Sequence, residues 1–480
     1  MRLLELVAGA DLAGLGLLRE LRGDPAIEIT GVTMDSRQVV PGSLFACVPG
    51  IHSDGHAYAP SAIADGAAAL MCERVLDLPV AQLVVSSVRR SLGPVCHIAA
   101  GRPSERLTVV GVTGTNGKTT TCSFLASIFE ARGWRTATIG TLTQQRTTPE
   151  APELQAMLAE WIGEGGRAVA MEVSSHALDQ HRTDAVHYAA AVFTNLTPEH
   201  LDYHKTMESY FAAKARLFLP GGADLAVVNE SDEWGHRLAR LVTDAGGSLV
   251  TFSESDAGDL ELHPGWSEFT WEGRGVRIRL PGRFNIMNAV AAASCAMALG
   301  VAIPEIVAGL EAVSEVEGRF QMVDAGQPFT VVVDYAHTPD GLAKVLTAAR
   351  EICAGRLIVV FGAGGDRDHE KRPMMGSAAA KIADLAVITS DNPRNEDPGA
   401  IISEVLSGVA DLSNVSEMAD RRSAIEAALT IAQSGDVVVI AGKGHEKGQE
   451  VGGRVLPFDD VEVATASLRR IIDSRQAGAR

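Results

Sequence analysis

Cysteine pairs, a basic excess and long apolar runs are all missing from this sequence. The six cysteines (47, 72, 96, 122, 295 and 353) are scattered with no CxxC spacing. That excludes a structural zinc site of the usual kind and fits a reducing cytosol. Lys and Arg number 42 against 60 Asp and Glu, a formal net charge of −18. A nucleic-acid surface needs a basic face, so that class is set aside, whereas small anionic substrates need only local positive charge. No uninterrupted apolar span is long enough to cross a bilayer, and the Met1–Leu6 start has no extended apolar core of a leader. Internal repeats and low-complexity tracts are also lacking. What remains is a 480-residue chain with 46% hydrophobic residues, expected to form a cytoplasmic globular protein of several domains with ample core.

The chain reads as three α/β blocks. Residues 1–105 form a small mixed unit, with short strands at Ile27–Val32, Ser43–Val48 and Gln82–Val85 and a helical stretch at Pro60–Gly66. Residues 106–324 form the longest block, a parallel sheet of the phosphate-loop ATPase kind. Residues 325–480 form a Rossmann-like block with strands at Phe329–Asp334, Arg356–Phe361, Leu385–Thr389 and Asp436–Ala441. Apolar strands separated by helices imply mostly parallel sheets covered on both faces. Ligands collect at the carboxyl ends of such strands, so the chemistry is expected in the loops that follow them.

One of those loops is distinctive. Gly111-Val112-Thr113-Gly114-Thr115-Asn116-Gly117-Lys118-Thr119-Thr120-Thr121 follows an apolar run and leads into a helical stretch, Ser123–Ala131. Backbone N–H groups in such a turn, at the positive end of a helix, make an anion cradle. Lys118 adds a full charge for a terminal phosphate, and the Thr119 hydroxyl suits Mg²⁺. The spacing departs from the strict pattern, with Val112 six positions before Lys118 where glycine is usual.

Three further residues stand out. Glu172 ends the apolar strand Ala168–Glu172; taken alone it reads equally as a helix-capping carboxylate or a metal ligand. His200 and His204 are four apart after the strand Ala189–Phe193, but no HExxH arrangement accompanies them, and a lone histidine is more often structural. Lys214 lies in a helical pattern whose periodicity alone favours a surface lysine. In the third block, Arg367 and Arg394 follow strands of one sheet and suit either bidentate carboxylate binding or surface ion pairs. Gly362-Ala363-Gly364-Gly365-Asp366-Arg367 fails as a dinucleotide fingerprint because Arg367 takes the last glycine position.

Taken in order, these segments resemble the Mur ligase family along the whole chain. The residues that carry the resemblance are Met34-Asp35-Ser36-Arg37, Gly114–Thr120, Thr147-Thr148-Pro149-Glu150, Glu172–Leu178, His200–His204, Lys214–Phe218, Gly282–Asn285, Asp334–Asp340, Asp391-Asn392-Pro393-Arg394 and Gly442–Glu446. The resemblance implies three domains that swing to close the site: an N-terminal domain for a UDP group, a central ATP domain and a C-terminal amino-acid domain. It implies an ADP-forming ligase that adds meso-2,6-diaminopimelate to UDP-N-acetylmuramoyl-L-alanyl-D-glutamate in peptidoglycan precursor synthesis, as a monomer.

Carried over motif by motif, Met34, Ser36 and Ile51-His52-Ser53 would face the UDP group. Thr147, Thr148, Ser174, Gln180 and Arg182 would hold the muramoyl-peptide. Gly114, Thr115, Asn116, Gly117, Lys118, Thr119 and Thr120 would cradle ATP, with Asn285, Arg319 and Asp334 completing that site. Thr119, Glu172, His200 and Lys214 would surround Mg²⁺, with Lys214 carbamylated by CO₂. His337 joins the implied catalytic set. Arg367, Asp391, Asn392, Pro393, Arg394, Gly442 and Glu446 would recognise diaminopimelate. Two departures accompany the resemblance: the loop Thr143–Arg146 is short, and Glu199 stands where many relatives carry Asp. L-lysine is the alternative amino acid. A folylpolyglutamate-synthase-type ligase and a non-catalytic Mur-like binding protein are the alternative functions.

Overall fold

The computed structural model of the chain describes residues 1–50 and 53–478. The first sheet holds β1 (Leu18–Arg22), β2 (Gly31–Thr33), β3 (Ser43–Ala46), β4 (Ala69–Cys72) and β5 (Ala81–Val85), in the order β1-β5-β4-β3-β2. β1 runs antiparallel to β5 and the other neighbours are parallel. β2 is shorter than the run Ile27–Val32 suggested. Ile27 and Ile29 instead exchange backbone hydrogen bonds with Leu3 and Met1, so that part of the segment is extended but pairs with the N-terminus.

The second sheet contains β6 (Thr108–Thr113), β7 (Thr136–Ile139), β8 (Ala168–Glu172), β9 (Ala190–Phe193), β10 (Leu225–Asn229) and β11 (Ser248–Phe252). Its order is β11-β10-β9-β6-β8-β7, and every pairing is parallel. Separate apolar clusters cover its two faces, one around Phe124, Ile128 and Val290, the other around Leu154, Tyr210 and Leu238. This burial on both sides is what the near-continuous apolar strands require. A small antiparallel sheet follows, β12 (Gly258–His263), β13 (Trp266–Trp271) and β14 (Arg274–Ile278), which the sequence reading did not contain.

The last sheet comprises β15 (Gln321–Met322), β16 (Thr330–Asp334), β17 (Leu357–Phe361), β18 (Leu385–Ile388), β19 (Val415–Glu417) and β20 (Val437–Ala441), in the order β15-β16-β20-β17-β18-β19. It is parallel apart from the edge strand β15. An exposed hairpin, β21 (Gly448–Val451) and β22 (Arg454–Pro457), stands beside it and was also not anticipated. The carboxyl ends of β6, β8, β9, β16, β17, β18 and β20 all lead into the loops described next. Among the described residues, no helix is long and apolar enough to cross a membrane.

Candidate active site

The phosphate loop is built as its composition requires. β6 ends at Thr113 and a helix runs Lys118–Ala131, beginning five residues earlier than the apolar pattern alone suggested. Gly117 caps that helix with φ of 88°, a left-handed conformation, and a Cβ there would collide with the Asn288 carboxamide. The first turn of the helix, Lys118 to Thr120, lines the cavity described below, where its free N–H groups can meet an anion. Lys118 folds back over the loop, its Nζ donating to the carbonyls of Gly114 and Thr115, both at 2.8 Å. Burial pushes its pKa down, opposed by Glu199 and Glu172.

Glu172 is 2% exposed at the end of β8. Its Oε1 accepts the Thr119 hydroxyl (3.0 Å) and the Thr141 N–H (2.9 Å). The carboxylate is therefore aimed at the phosphate loop and does not cap a helix. Arg319 Nη2 donates to the Thr119 hydroxyl at 3.2 Å, and its guanidinium lies 4.6 Å from the Tyr335 ring centroid. Its buried Nε has no partner among the described residues. A half-buried guanidinium with an unused donor beside a phosphate loop suits an incoming anion.

These groups face a cavity of about 650 Å³ lined also by His200, Lys214, Asp334, His337, Thr147 and Ser174. His200 has a left-handed φ of 56° at the start of the short helix Leu201–His204. It and His204 therefore do not form a helical pair: His204 is buried, with Nε2 2.9 Å from the Ser175 hydroxyl. The His200 ring keeps 42% of its surface open to the cavity, yet it sits inside a recess where desolvation pushes its pKa down to about 4. Glu199 lies between His200 (3.7 Å) and His337 (4.0 Å). Desolvation opposes its charge, but His200, Lys118, His337 and Lys214 together hold its pKa below the ordinary value. The sequence marked Glu199 only as a departure; its place at the centre of four basic groups emerges from the fold.

Lys214 is the main reversal. Periodicity favoured the surface, but the residue is 1% exposed. Its Nζ donates to the Gly114 carbonyl at 2.9 Å and lies 3.4 Å from the Thr113 hydroxyl. Burial, with Lys118 nearby, lowers its pKa well below that of a free lysine. Asp334 has its pKa raised by burial and accepts the N–H groups of Phe320 (2.6 Å) and Ala336 (2.7 Å). Asn285 sits behind the wall, donating to the Pro281 carbonyl at 2.8 Å, and Asn288 lines the cavity instead. Asp340 was not singled out from the sequence. It joins the third block to the phosphate loop, accepting from Asn116 (3.0 Å) and Thr197 (2.8 Å).

Toward the first block, the Thr148 hydroxyl donates to the Glu172 carbonyl at 2.9 Å and accepts the Ser174 N–H at 3.0 Å. Arg182 donates to Gln180 Oε1 (2.6 Å) and to the Thr148 carbonyl (3.1 Å). Glu150 gathers Arg89, Arg146 and Arg182 at 2.7, 3.1 and 3.2 Å, so the short loop delivers Arg146 to this cluster. Met34, Ser36 and Ser53 stay within the first block, away from the cavity lining. Ile51 and His52 lie outside the described residues.

A second cluster forms beyond β17, β18 and β20. Lys443, fully buried, donates to Asn392 Oδ1 and Glu446 Oε2, each at 2.9 Å, with Asp391 3.8 Å away. Asn392 Nδ2 also donates to Glu446 Oε2 at 2.8 Å. Gly442 has φ of 119°, and a Cβ there would strike the Asp391 carboxylate. In the sequence, Lys443 is marked only by its place between Gly442 and Gly444 at a strand end. Pro393 accepts the Glu396 N–H at 3.0 Å. Arg367 is exposed. Arg394 is already engaged, with Nε 3.1 Å from Glu450 and Nη1 2.6 Å from the Gly365 carbonyl.

Arg372, fully buried, ties the Arg367 and Arg394 loops together through Glu396 (2.8 and 2.9 Å), Glu404 (2.9 Å) and the Gly364 carbonyl (3.0 Å). Its hydrogen bonds pull the Glu396 pKa from 4.5 to about 2. A depressed carboxylate stabilises the fold above its unfolded pKa and loses that contribution as pH falls through its folded value. The melting-temperature advantage of the native chain over Glu396→Gln is therefore expected at neutral pH and to disappear between about pH 4.5 and about pH 2. A constant difference across that titration would show that Arg372 does not hold Glu396 ionised.

Comparisons with known proteins agree along the chain. Family models match residues 28–100 (Mur ligase family, catalytic domain), 112–296 (Mur ligase middle domain) and 318–444 (Mur ligase, glutamate ligase domain). A UDP-N-acetylmuramoyl-L-alanyl-D-glutamate–2,6-diaminopimelate ligase of Syntrophomonas wolfei is 43% identical, over 98% of this chain and 99% of that protein. The Bacillus cereus protein of the same name is 41% identical over 92% and 94%. A solved structure of a ligase so named covers 99% of both chains at 32% identity with a TM-score of 0.70. The chain belongs to the Mur ligase family.

Proposed function

We propose that the chain is the ATP-dependent ligase that joins meso-2,6-diaminopimelate to UDP-N-acetylmuramoyl-L-alanyl-D-glutamate, acting in the cytoplasm as a monomer. In this reading residues 1–105 hold the UDP end, 106–324 bind ATP and 325–480 bring the amino acid. The observation that carries it is the chain of contacts Arg319–Thr119–Glu172, which sets a phosphate loop and a carboxylate against one cavity.

The γ-carboxylate of the D-glutamyl residue attacks the ATP γ-phosphorus and ADP leaves, giving an acyl phosphate. The amine of diaminopimelate then attacks that carbonyl carbon, phosphate leaves and the nitrogen loses a proton. The first step brings two anions together, so positioning and counter-charge supply most of the acceleration. Lys118, the loop N–H groups and Arg319 provide positive charge at the phosphates. Thr148, Ser174 and Arg182 position the peptide acid. Asn288 and the apolar walls of the cavity suit the base.

The donors present fit Mg²⁺. Thr119 and Glu172 offer hard oxygens 3.0 Å apart with His200 on the same cavity. No group of three or more His, Cys, Asp or Glu among the described residues makes a full cage; Mg²⁺ usually keeps waters and phosphate oxygens in its shell. Bound there, it would neutralise phosphate charge. Lys214 is buried, which lowers its pKa and favours the free-amine form that reacts with CO₂, and a carbamate would turn a repelling cation into an anion beside the metal.

Amino-acid choice rests on Arg394. A distal carboxylate gives the guanidinium a partner that lysine cannot offer. Purified chain, ATP and UDP-MurNAc-dipeptide supplied with each amino acid in turn are expected to form product faster with meso-diaminopimelate than with L-lysine. Faster turnover with lysine would reject the assignment.

A further inference from the structure

We infer that Asp340 is a positioning residue for the transfer steps: it fastens the third block to the phosphate loop and to the Glu199–His200 loop, so that groups from two blocks meet in one geometry. The inference rests on the ATP-dependent ligation proposed above.

The local sequence presents this carboxylate at the front of a helix. The helix Pro339–Glu351 is capped by the Thr338 hydroxyl, which accepts the Gly341 N–H at 3.1 Å. Proline fits the first helical position, and an acid is favoured in the first turn, where the helix dipole is positive. One face of the helix, from Gly341 and Lys344 to Ala348 and Glu351, forms a wall of the cavity of about 650 Å³.

From that position Asp340 reaches across the junction. Its Oδ2 accepts the Asn116 carboxamide at 3.0 Å and the Thr197 hydroxyl at 2.8 Å. Within the second block the two loops are already joined. The Asn116 N–H donates to Asn195 Oδ1 (3.0 Å), and the Thr115 hydroxyl accepts the Thr197 N–H (3.0 Å) and donates to the Thr197 carbonyl (3.1 Å). A single carboxylate therefore sets the third block against both. One loop leads into Lys118 and Thr119 and the other into Glu199 and His200, while the helix that carries Asp340 follows directly on Asp334 and His337.

Lys344, one turn along, lies 2.9 Å from the same oxygen, so the fastening adds no uncompensated negative charge beside the phosphates. The far end of the helix is attached as well, Glu351 to Arg283 Nε at 3.0 Å, but the arginine side chain is 61% exposed and such a pair contributes little. Asp340 instead takes charge-assisted hydrogen bonds from two half-buried neutral donors, the stronger kind. In the proposed reading the peptide acid is gripped by Thr148, Ser174 and Arg182, and the amino acid by the third block. The reacting centre alone draws on both sides of the junction. Loosening Asp340 therefore slows turnover and leaves the binding of either acid in place.

The test measures kcat and KM with ATP, UDP-MurNAc-dipeptide and meso-diaminopimelate for the native chain, Asp340→Ala, Asp340→Asn, Thr197→Val and the double variant Asp340→Ala with Thr197→Val. Asp340→Ala is expected to lower kcat about tenfold or more, with KM for both acids within about twofold of native. Asp340→Asn keeps an oxygen for both donors and should recover most of that loss. Thr197→Val deletes one of the two bonds without touching the helix and should lower kcat about threefold; in the double variant it should add nothing, because its partner is already gone. Native kcat in Asp340→Ala or, should that variant not fold, in Thr197→Val would overturn the inference. So would an additive double variant, an Asn variant no faster than Ala, or a loss that falls on KM alone; the proposed function would stand in each case. A native chain that forms no product would overturn both.

Discussion

Lys118→Ala is expected to give a folded protein whose ATP-dependent ligation is about a thousandfold slower. The ammonium sits over the phosphate loop, held by two carbonyls at 2.8 Å, in a place where burial works against its charge. Such a group gains most when a polyanion docks against it. One unit-charge contact at ~4 Å and an effective dielectric of ~20 is worth roughly 4 kcal/mol. At about 1.4 kcal/mol per decade, losing it in the transition state alone gives the thousandfold figure. The fold does not depend on it: the Gly114 carbonyl it releases still accepts from Lys214 Nζ at 2.9 Å, and Thr115 lines the cavity. Phosphate release in the presence of both acid substrates, alongside a melting curve, checks this. Near-normal turnover by a well-folded variant would remove the phosphate-loop assignment.

What was readable in advance was local. Gly114 to Thr120 announce a strand–loop–helix because glycine, lysine and threonine spacing is a property of a few consecutive residues. β8 ends at Glu172, where the apolar run ends. The four inner strands of the last sheet, β16, β17, β18 and β20, were readable for the same reason, since burial on both faces leaves long apolar stretches, whereas the short edge strands β15 and β19 were not. β12–β14 and the hairpin β21–β22 were not, because they are short and carry exposed polar positions that weaken any period. Side-chain partners were least legible. Lys214 repeats with helical spacing on a helix whose lysine position turns inward, and no periodicity tells which face a short helix hides. Glu199, Asp340, Arg372 and Lys443 acquire meaning from residues 24 or more positions away. The resemblance located the substrate-facing motifs, but the ion pair between Arg394 and Glu450 depends on a hairpin that no motif contained.

Replacing Lys214 by Met is expected to raise stability and remove activity at once. The amine is buried among Gly114, Thr113 and the Tyr210 ring, 4.7 Å from its centroid, and its pKa is lowered by burial first and by Lys118 second. The unfolded chain holds a proton there up to about pH 10.4, which the folded chain gives up earlier. Folding therefore carries a penalty at lower pH that eases as pH rises from the depressed folded value toward the unfolded one. In CO₂-depleted buffer the variant should melt above the native chain, by a margin that narrows toward about pH 10. Ligation should fall about a hundredfold or more, the scale for losing one preorganised electrostatic group. The free-base form that burial favours can form an N–C bond to CO₂ and release a proton, so isotopically labelled bicarbonate should mark the native chain and leave the variant unlabelled. A variant that melts like the native chain and still turns over would make Lys214 a bystander. Loss of turnover with no label on the native residue would keep its importance but assign it to the charge of the amine itself.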